Sequence, residues 1–138
     1  MARIMGLDVG DKRIGIAFSD LLMITAQGQE TYTRTEEQAD IDYMIALMEK
    51  NDVGTIVCGL PKNMNGTIGE QAEKVQAFAQ KLKEASGKPL IYWDERLTTK
   101  SAHRTLIEAD MSRKKRKKVV DKIAAVYILQ GYMDSISI

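Results

Sequence analysis

The 138-residue chain predicts an α/β domain built on a mixed five-stranded sheet. Two observations lead there. The first part of the chain alternates short apolar runs with turn residues, which gives three strands in a meander. From Thr35 onward, helical stripes alternate with two nearly continuous apolar runs, Thr55 to Cys58 and Leu90 to Trp93. Such runs suit parallel strands joined by right-handed crossovers. Antiparallel hairpins followed by parallel strands make the sheet mixed. No internal repeat or linker interrupts the chain, so residues 1–138 are expected to form one domain.

Each element follows from local chemistry. Ile4 to Val9 is apolar except for Gly6 and Asp8, Gly10-Asp11-Lys12 is a turn, and Ile14 to Phe18 is apolar again. Ser19-Asp20 marks a second turn. The third strand is expected to start within Leu21 to Ile24 and to alternate from Gln29 to Arg34. Thr35, with Gln38 three residues on, predicts a helix cap ahead of the stripe Ile41, Met44, Ile45 and Met48. Gly54 breaks that pattern, and the fourth strand stops at Gly59-Leu60-Pro61. After a polar loop, Thr67 and Glu70 predict a capping box, followed by Ile68, Ala72, Val75, Ala79 and Leu82 on one face. Gly87-Lys88-Pro89 ends that helix, and the fifth strand runs straight into Asp94-Glu95-Arg96. Thr98 or Thr99 caps a third helix reaching about Ala109. A basic run comes next, and then a last helix with Val120, Ile123, Ala124, Tyr127 and Ile128 inward and Asp121 in its first turn.

Composition excludes several classes. Hydrophobic residues are 44% and charged residues 28%, an ordinary soluble balance. Net charge is +1, so any case for nucleic acid must be local. No apolar run approaches membrane-spanning length, so no membrane partner is expected. The chain enters a strand at once, with no secretory pattern. A single cysteine, Cys58, excludes an intrachain disulfide and a cysteine zinc site. A cytoplasmic location is expected.

The chemistry lies in the acids. A carboxylate inside an apolar strand is costly to bury without a partner, and glycines on either side let a phosphate or metal approach the backbone. Asp8 therefore reads as the first ligand of a cation, against the plainer reading that it begins the turn. Ligands in such sheets gather at the carboxyl ends of the central strands, where Asp8 and the Asp94-Glu95 pair both fall. Asp8, Glu95 and Asp121 are expected to converge there, with Asp94 and Asp11 as competing candidates. Carboxylates with one histidine and one cysteine suit hard cations such as Mg2+ or Mn2+. Two such ions about 4 Å apart activate water and stabilise the leaving oxygen in phosphodiester cleavage. The plain readings are a salt bridge to Arg96 for Glu95 and a macrodipole-favoured helix-start acid for Asp121.

Four stretches carry a resemblance: GLDVGDKRIGIAFSD from Gly6, GLPKNMNGTIGEQA from Gly59, DERLTTKSA from Asp94 and VVDKIAAVYILQ from Val119. Together they resemble the YqgF family, a branch of the RNase H-like superfamily related to RuvC-type Holliday-junction resolvases. The resemblance implies the RNase H-like fold, a five-stranded mixed sheet with helices on both faces. It also implies a nuclease that matures the 5′ end of precursor 16S ribosomal RNA, with Asp8, Glu95 and Asp121 as its acidic triad. One departure separates the chain from the resolvases, whose second acid ends the fourth strand. Here that strand ends in Cys58-Gly59-Leu60, and Glu95 after the fifth strand substitutes. The family often has an acid where this chain has Asn65, so Asn65 is given no role at the metal.

The basic run Arg113, Lys114, Lys115, Arg116, Lys117 and Lys118 is the strongest local charge feature and is expected to hold a nucleic-acid backbone beside the acids. Its plain reading is a solvated loop. Lys12, Arg13 and Arg96 are expected to add phosphate contacts. Tyr92, Trp93, Met44 and Met48 read as core, Cys58 as a small buried hydrophobe, and His103 as a residue on a polar helix face. The expected activity is metal-dependent cleavage of RNA, with ribosomal precursor RNA as partner. The rivals are DNA junction cleavage by a dimer, a non-catalytic RNA-binding module, and a sugar-kinase-like or actin-like ATPase. The ATPase needs a second domain and a second phosphate loop, which 138 residues do not supply. Monomer and homodimer are both left open.

Overall fold

The computed structural model describes residues 2–95 and 113–136, and of residues 113–120 the backbone alone. Three strands come first: β1 (Arg3–Val9), β2 (Arg13–Ser19) and β3 (Ala26–Thr33). Then follow α1 (Glu37–Lys50), β4 (Val53–Leu60), α2 (Glu70–Ser86), β5 (Leu90–Asp94) and α3 (Arg113–Ile136). The third helix expected between Thr98 or Thr99 and Ala109, together with Arg96 and His103, lies outside the described residues. The five strands lie in the order β3-β2-β1-β4-β5. β1 pairs antiparallel with β2 and parallel with β4, so the mixed sheet changes direction on the two sides of β1.

Period-two alternation splits the core. Met5, Leu7 and Val9 of β1 face the layer formed by α1 and α2, with Ile14, Ile16, Met44, Met48, Val75 and Leu82. Ile4 faces the opposite layer, where Ala125, Ile128, Leu129 and Met133 of α3 pack on Ala17 and Val57. Cys58 is fully buried on the first side, and burial pushes its thiol up, so it stays a protonated hydrophobe. Tyr92 and Trp93 pack against the two cores from opposite faces of β5, as core residues would. Among the described residues no helix is long and apolar enough to cross a membrane.

Several local expectations are corrected. The third strand begins at Ala26, because Asp20 Oδ1 accepts the N–H groups of Ile24 (2.7 Å) and Thr25 (3.1 Å) and folds the apolar segment after it into a turn. Thr35 does not cap α1. Its N–H donates instead to Asp40 Oδ1 (3.0 Å), a carboxylate only 1% exposed that also receives Tyr32 Oη and Arg34 Nε. Arg34 Nη1 reaches on to the Gly10 carbonyl (2.8 Å), which ties the start of α1 to the β1–β2 turn. Gly69, not Thr67, precedes α2; the Thr67 hydroxyl is bonded within its own loop to Asn65. Phe78 takes the place expected for Ile68 in the α2 core, and Ile68 is exposed.

The last helix differs most. It is helical from Arg113 on, so the basic run is part of the helix and Asp121 lies at least two turns inside it, away from the helix N-terminus. Its buried face is Ala124, Ala125, Ile128, Leu129 and Met133, whereas Ile123 and Tyr127 are only partly covered.

Candidate active site

β1 delivers Asp8. With Ile4 and Gly6 it lies on the α3 face of the sheet, two residues beyond Gly6. α3 rests on that face at glycines. A Cβ on Gly6 would lie 2.7 Å from Leu129 Cβ and 3.1 Å from the Ala125 carbonyl oxygen. A Cβ on Gly15 would lie 1.9 Å from the Asp121 carbonyl oxygen. Gly15 is the cross-strand partner of Asp8. Four residues of helix advance about 6 Å and two of strand about 6.6 Å, so successive helix turns keep step with successive same-face strand positions. The line Leu129, Ala125, Asp121 thus brings the third acid beside Asp8.

Glu95 arrives from β5. It follows Asp94, which pairs with Leu60 at the end of β4. Its side chain turns over Gly59, where an added Cβ would meet Glu95 Cγ and Oε1 at 2.7 Å each. Glu95 therefore places a carboxylate over the end of the fourth strand from the fifth, and the missing side chain at Gly59 makes the room. It is 9% exposed.

The electrostatics follow from burial. Desolvation holds the Asp8 carboxyl well above the usual carboxylate range, and its hydrogen bond to Glu95 and the charges of Glu95 and Asp121 add to that. Glu95 is raised too, by burial and by the charge of Asp94, against the pull of the hydrogen bond from Asp8. The two carboxyls are therefore coupled, each set by the other's charge and by their mutual hydrogen bond.

Asp121 is held differently. Arg13 Nε donates to its Oδ2 at 2.7 Å, with both side chains partly exposed. Arg13, expected to bind phosphate, thus anchors the third acid. Lys12 is exposed in the β1–β2 turn at this edge. Asp11 is turned toward α2, 60% exposed and 3.8 Å from Lys74 Nζ, away from the Asp8–Glu95 pair. The charge of Asp94 also acts on Glu95. Among the described residues no three His, Cys, Asp or Glu side chains are grouped to hold one ion. Asp8 and Glu95 are in contact, and Asp121 stands beside them with one oxygen on Arg13. Residues 113–118 lead along α3 to Asp121. Gly59 and the Arg13–Asp121 pairing carry no separate signal in the sequence. The available clue is that Gly6 and Gly15, at same-face spacing from Asp8 and Ala17, leave that face without side chains.

The RuvX family model, described as Holliday junction resolvase, matches residues 2–135. A protein of Clostridium acetobutylicum named "Putative pre-16S rRNA nuclease" is 60% identical over 134 residues, spanning 97% of this chain and 99% of its own. A Clostridium kluyveri protein of the same name is 57% identical over 135 residues, 98% of both chains. Among solved structures, T. thermophilus RuvC in complex with a Holliday junction substrate superposes with TM-score 0.61 at 9% identity, covering 98% of this chain and 95% of that one. The fowlpox virus resolvase in complex with Holliday junction DNA gives 0.58 at 14% identity, covering 97% and 98%. At such identities the structural likeness is one of fold, and the fold is the expected RNase H-like one. By the match along nearly its whole length and by its identity to those relatives, the chain belongs to the RuvX (YqgF) family of nucleases.

Proposed function

We propose that the protein is a metal-dependent nuclease that trims the 5′ end of precursor 16S ribosomal RNA, with Asp8, Glu95 and Asp121 as its catalytic acids. One observation carries the reading: two buried carboxylates, Asp8 and Glu95, meet at the carboxyl edge of the sheet with a third acid beside them. Two carboxylates in contact cannot both ionise without a neighbouring cation. The donors are all oxygen, which fits Mg2+ or Mn2+. Asp8, Glu95 and Asp121 would hold the metal, which when bound activates water and stabilises the leaving oxygen. The chain's own groups do the rest. Arg13 holds Asp121 in place, Gly59 leaves Glu95 the space to reach Asp8, and Lys12 and the basic run bind backbone phosphates. The 16S substrate is the one that the relatives at 57–60% identity are named for.

The family description favours a second reading, cleavage of four-way DNA junctions. The test is purified protein with Mn2+ against a precursor 16S 5′ leader, single-stranded RNA, duplex RNA and a four-way DNA junction at one ionic strength. Cleavage of the leader that is lost in Asp8→Asn supports the proposal. Paired symmetric nicks in the junction, faster than RNA cleavage, replace it with the resolvase reading. Binding without cleavage of any substrate leaves a non-catalytic RNA-binding module.

A further inference from the structure

The β1–β2 turn joins the strand that bears Asp8 to the strand that bears Arg13, the anchor of Asp121. Within it the Gly10 N–H donates to the Arg13 carbonyl (2.8 Å), and Asp11 and Lys12 between them are exposed. Arg34, the residue after β3, holds this turn from outside at two points. Its Nη1 donates to the Gly10 carbonyl (2.8 Å) and its backbone N–H to the Lys12 carbonyl (2.9 Å). The guanidinium is itself fixed from two sides. Its Nε donates to Asp40 Oδ2 (2.9 Å), and its Cζ lies 4.7 Å from the centre of the Phe78 ring of α2. Asp40 belongs to the first turn of α1 and is held in turn, for its Oδ1 accepts Tyr32 Oη (2.9 Å) and the Thr35 N–H (3.0 Å). Arg34 therefore ties the turn to the α1–α2 side of the sheet, and Arg13 carries the tie through to α3 on the other side.

We propose, resting on the nuclease reading above, that Arg34 is a positioning residue: by clamping the turn at Gly10 and Lys12 it holds Arg13, and through Arg13 the carboxylate of Asp121, in the catalytic geometry. A buried ion pair such as Arg34–Asp40 is weak evidence for stability, because the cost of desolvating two charges offsets their attraction. Its gain here is geometric. A planar guanidinium satisfies a carboxylate and a carbonyl at once and stacks on the ring beneath, so it fixes direction as well as distance. What it fixes is sensitive. Arg13 grips Asp121 at 2.7 Å from the same turn, and a displacement of about 1 Å in a catalytic group can cost about a hundredfold in rate. Arg34 acts from the opposite face of the sheet, through Arg13.

The test begins in EDTA, with the NMR signal of the Arg13 Nε–H in isotope-labelled protein, assigned by its loss in Arg13→Lys. Cleavage kinetics on single-stranded RNA in Mn2+ run alongside. Arg34→Lys keeps a cation beside Asp40 but cannot bond Asp40 and Gly10 together or stack on Phe78. It should move the Arg13 signal toward that of arginine in the unfolded chain and speed its exchange with water. It should also lower kcat by about tenfold or more while RNA affinity in EDTA is unchanged. Arg34→Met combined with Asp40→Asn removes both charges together, leaves neither buried alone, and should show the same losses. Because Arg34 acts through Arg13, the double variant Arg34→Lys with Arg13→Lys should be no slower than Arg13→Lys. Leu82→Val, a core change near the C-terminal end of α2, should lower the melting temperature and leave both the Arg13 signal and kcat unchanged. If wild type cuts RNA and Arg34→Lys matches it in Arg13 signal and kcat, the positioning role is overturned and the nuclease reading stands. If wild type cuts no nucleic acid, the nuclease reading fails and the positioning role falls with it.

Discussion

Gly15→Ala tests how the site is assembled. The new Cβ would lie 1.9 Å from the Asp121 carbonyl oxygen, 2.4 Å from its carbon and 3.1 Å from the Lys122 nitrogen. All three are backbone atoms of α3, so no side-chain rotation relieves the overlap. Ordinary contact begins near 3.4 Å, so the helix must withdraw by about 1.5 Å. A gap of about 1 Å already forfeits up to about half of each dispersion contact, and α3 supplies most of one core face. Overpacking costs about 1–3 kcal/mol where neighbours can adjust, and this site belongs at or above the upper end. In a domain of this size that lowers the melting temperature by about 10 °C. The same withdrawal carries Asp121 away from Asp8, and a misplacement of about 1 Å can cost about a hundredfold in rate.

Differential scanning fluorimetry and cleavage kinetics read both effects. Gly87→Ala is the control. Gly87 ends α2 at φ +70° with nothing within 4 Å of its would-be Cβ. Its replacement should cost about 1 kcal/mol of backbone strain and spare activity. If Gly15→Ala melts like wild type and cuts at the wild-type rate, α3 does not rest on the sheet at Gly15 and the account of how Asp121 is placed is wrong.

Asp8→Asn, Glu95→Gln and Asp121→Asn should each lower cleavage by at least about a hundredfold, and the triple variant should be little worse than Asp8→Asn, because residues that act as a unit are not additive. Near-normal turnover in Glu95→Gln with a dead Asp94→Asn would transfer the second acid to Asp94. In EDTA, the raised Asp8 and Glu95 mean that the native state binds protons more tightly than the unfolded chain. Stability should therefore fall as pH rises from about 4, the unfolded carboxylate value, through the raised native values. Asp8→Asn should flatten that fall and melt higher than wild type at pH 8; an identical pH profile for the two proteins would refute the raised Asp8 carboxyl. Mn2+ should raise the melting temperature of wild type far more than that of Asp8→Asn. Replacing Lys114, Lys115, Lys117 and Lys118 with Gln should weaken RNA binding alike for all sequences and lower the magnitude of the log–log salt slope by about 0.7 per lost contact. An unchanged slope would make the run a solvated face.

What the sequence shows and hides follows from how local each signal is. Asp8 is legible because a carboxylate in an apolar strand stands out against its neighbours, and Glu95 because it follows a short apolar run directly. The mixed character of the sheet is legible because hairpins give antiparallel neighbours and crossovers parallel ones. The segment Leu21 to Ile24 misleads because its apolar residues suit a strand while the one preceding carboxylate bends it into a turn. Thr35 and Thr67 have the right type for caps, yet their polar groups are taken by Asp40 and Asn65. The basic run reads as a loop because like charges repel, but lysine and arginine are good helix formers and the helix extends through them.

The error over where α3 begins has a physical sequel in the site. A helix-start acid would be placed by the macrodipole and would face solvent. Asp121 instead lies on the same line of α3 as Ala125 and Leu129, one turn beyond the residues that press on Gly6. Its position is therefore set by core packing, and Arg13 fixes the direction of its carboxylate. Each of the three acids owes its place to an absent side chain or to a close approach across one: Asp8 faces the Gly15 position on which α3 rests, Glu95 crosses Gly59, and Asp121 sits against Gly15. A glycine in a strand reads the same whether it admits a helix, a carboxylate or a ligand, which is why this arrangement emerges only once the helix has docked on the sheet.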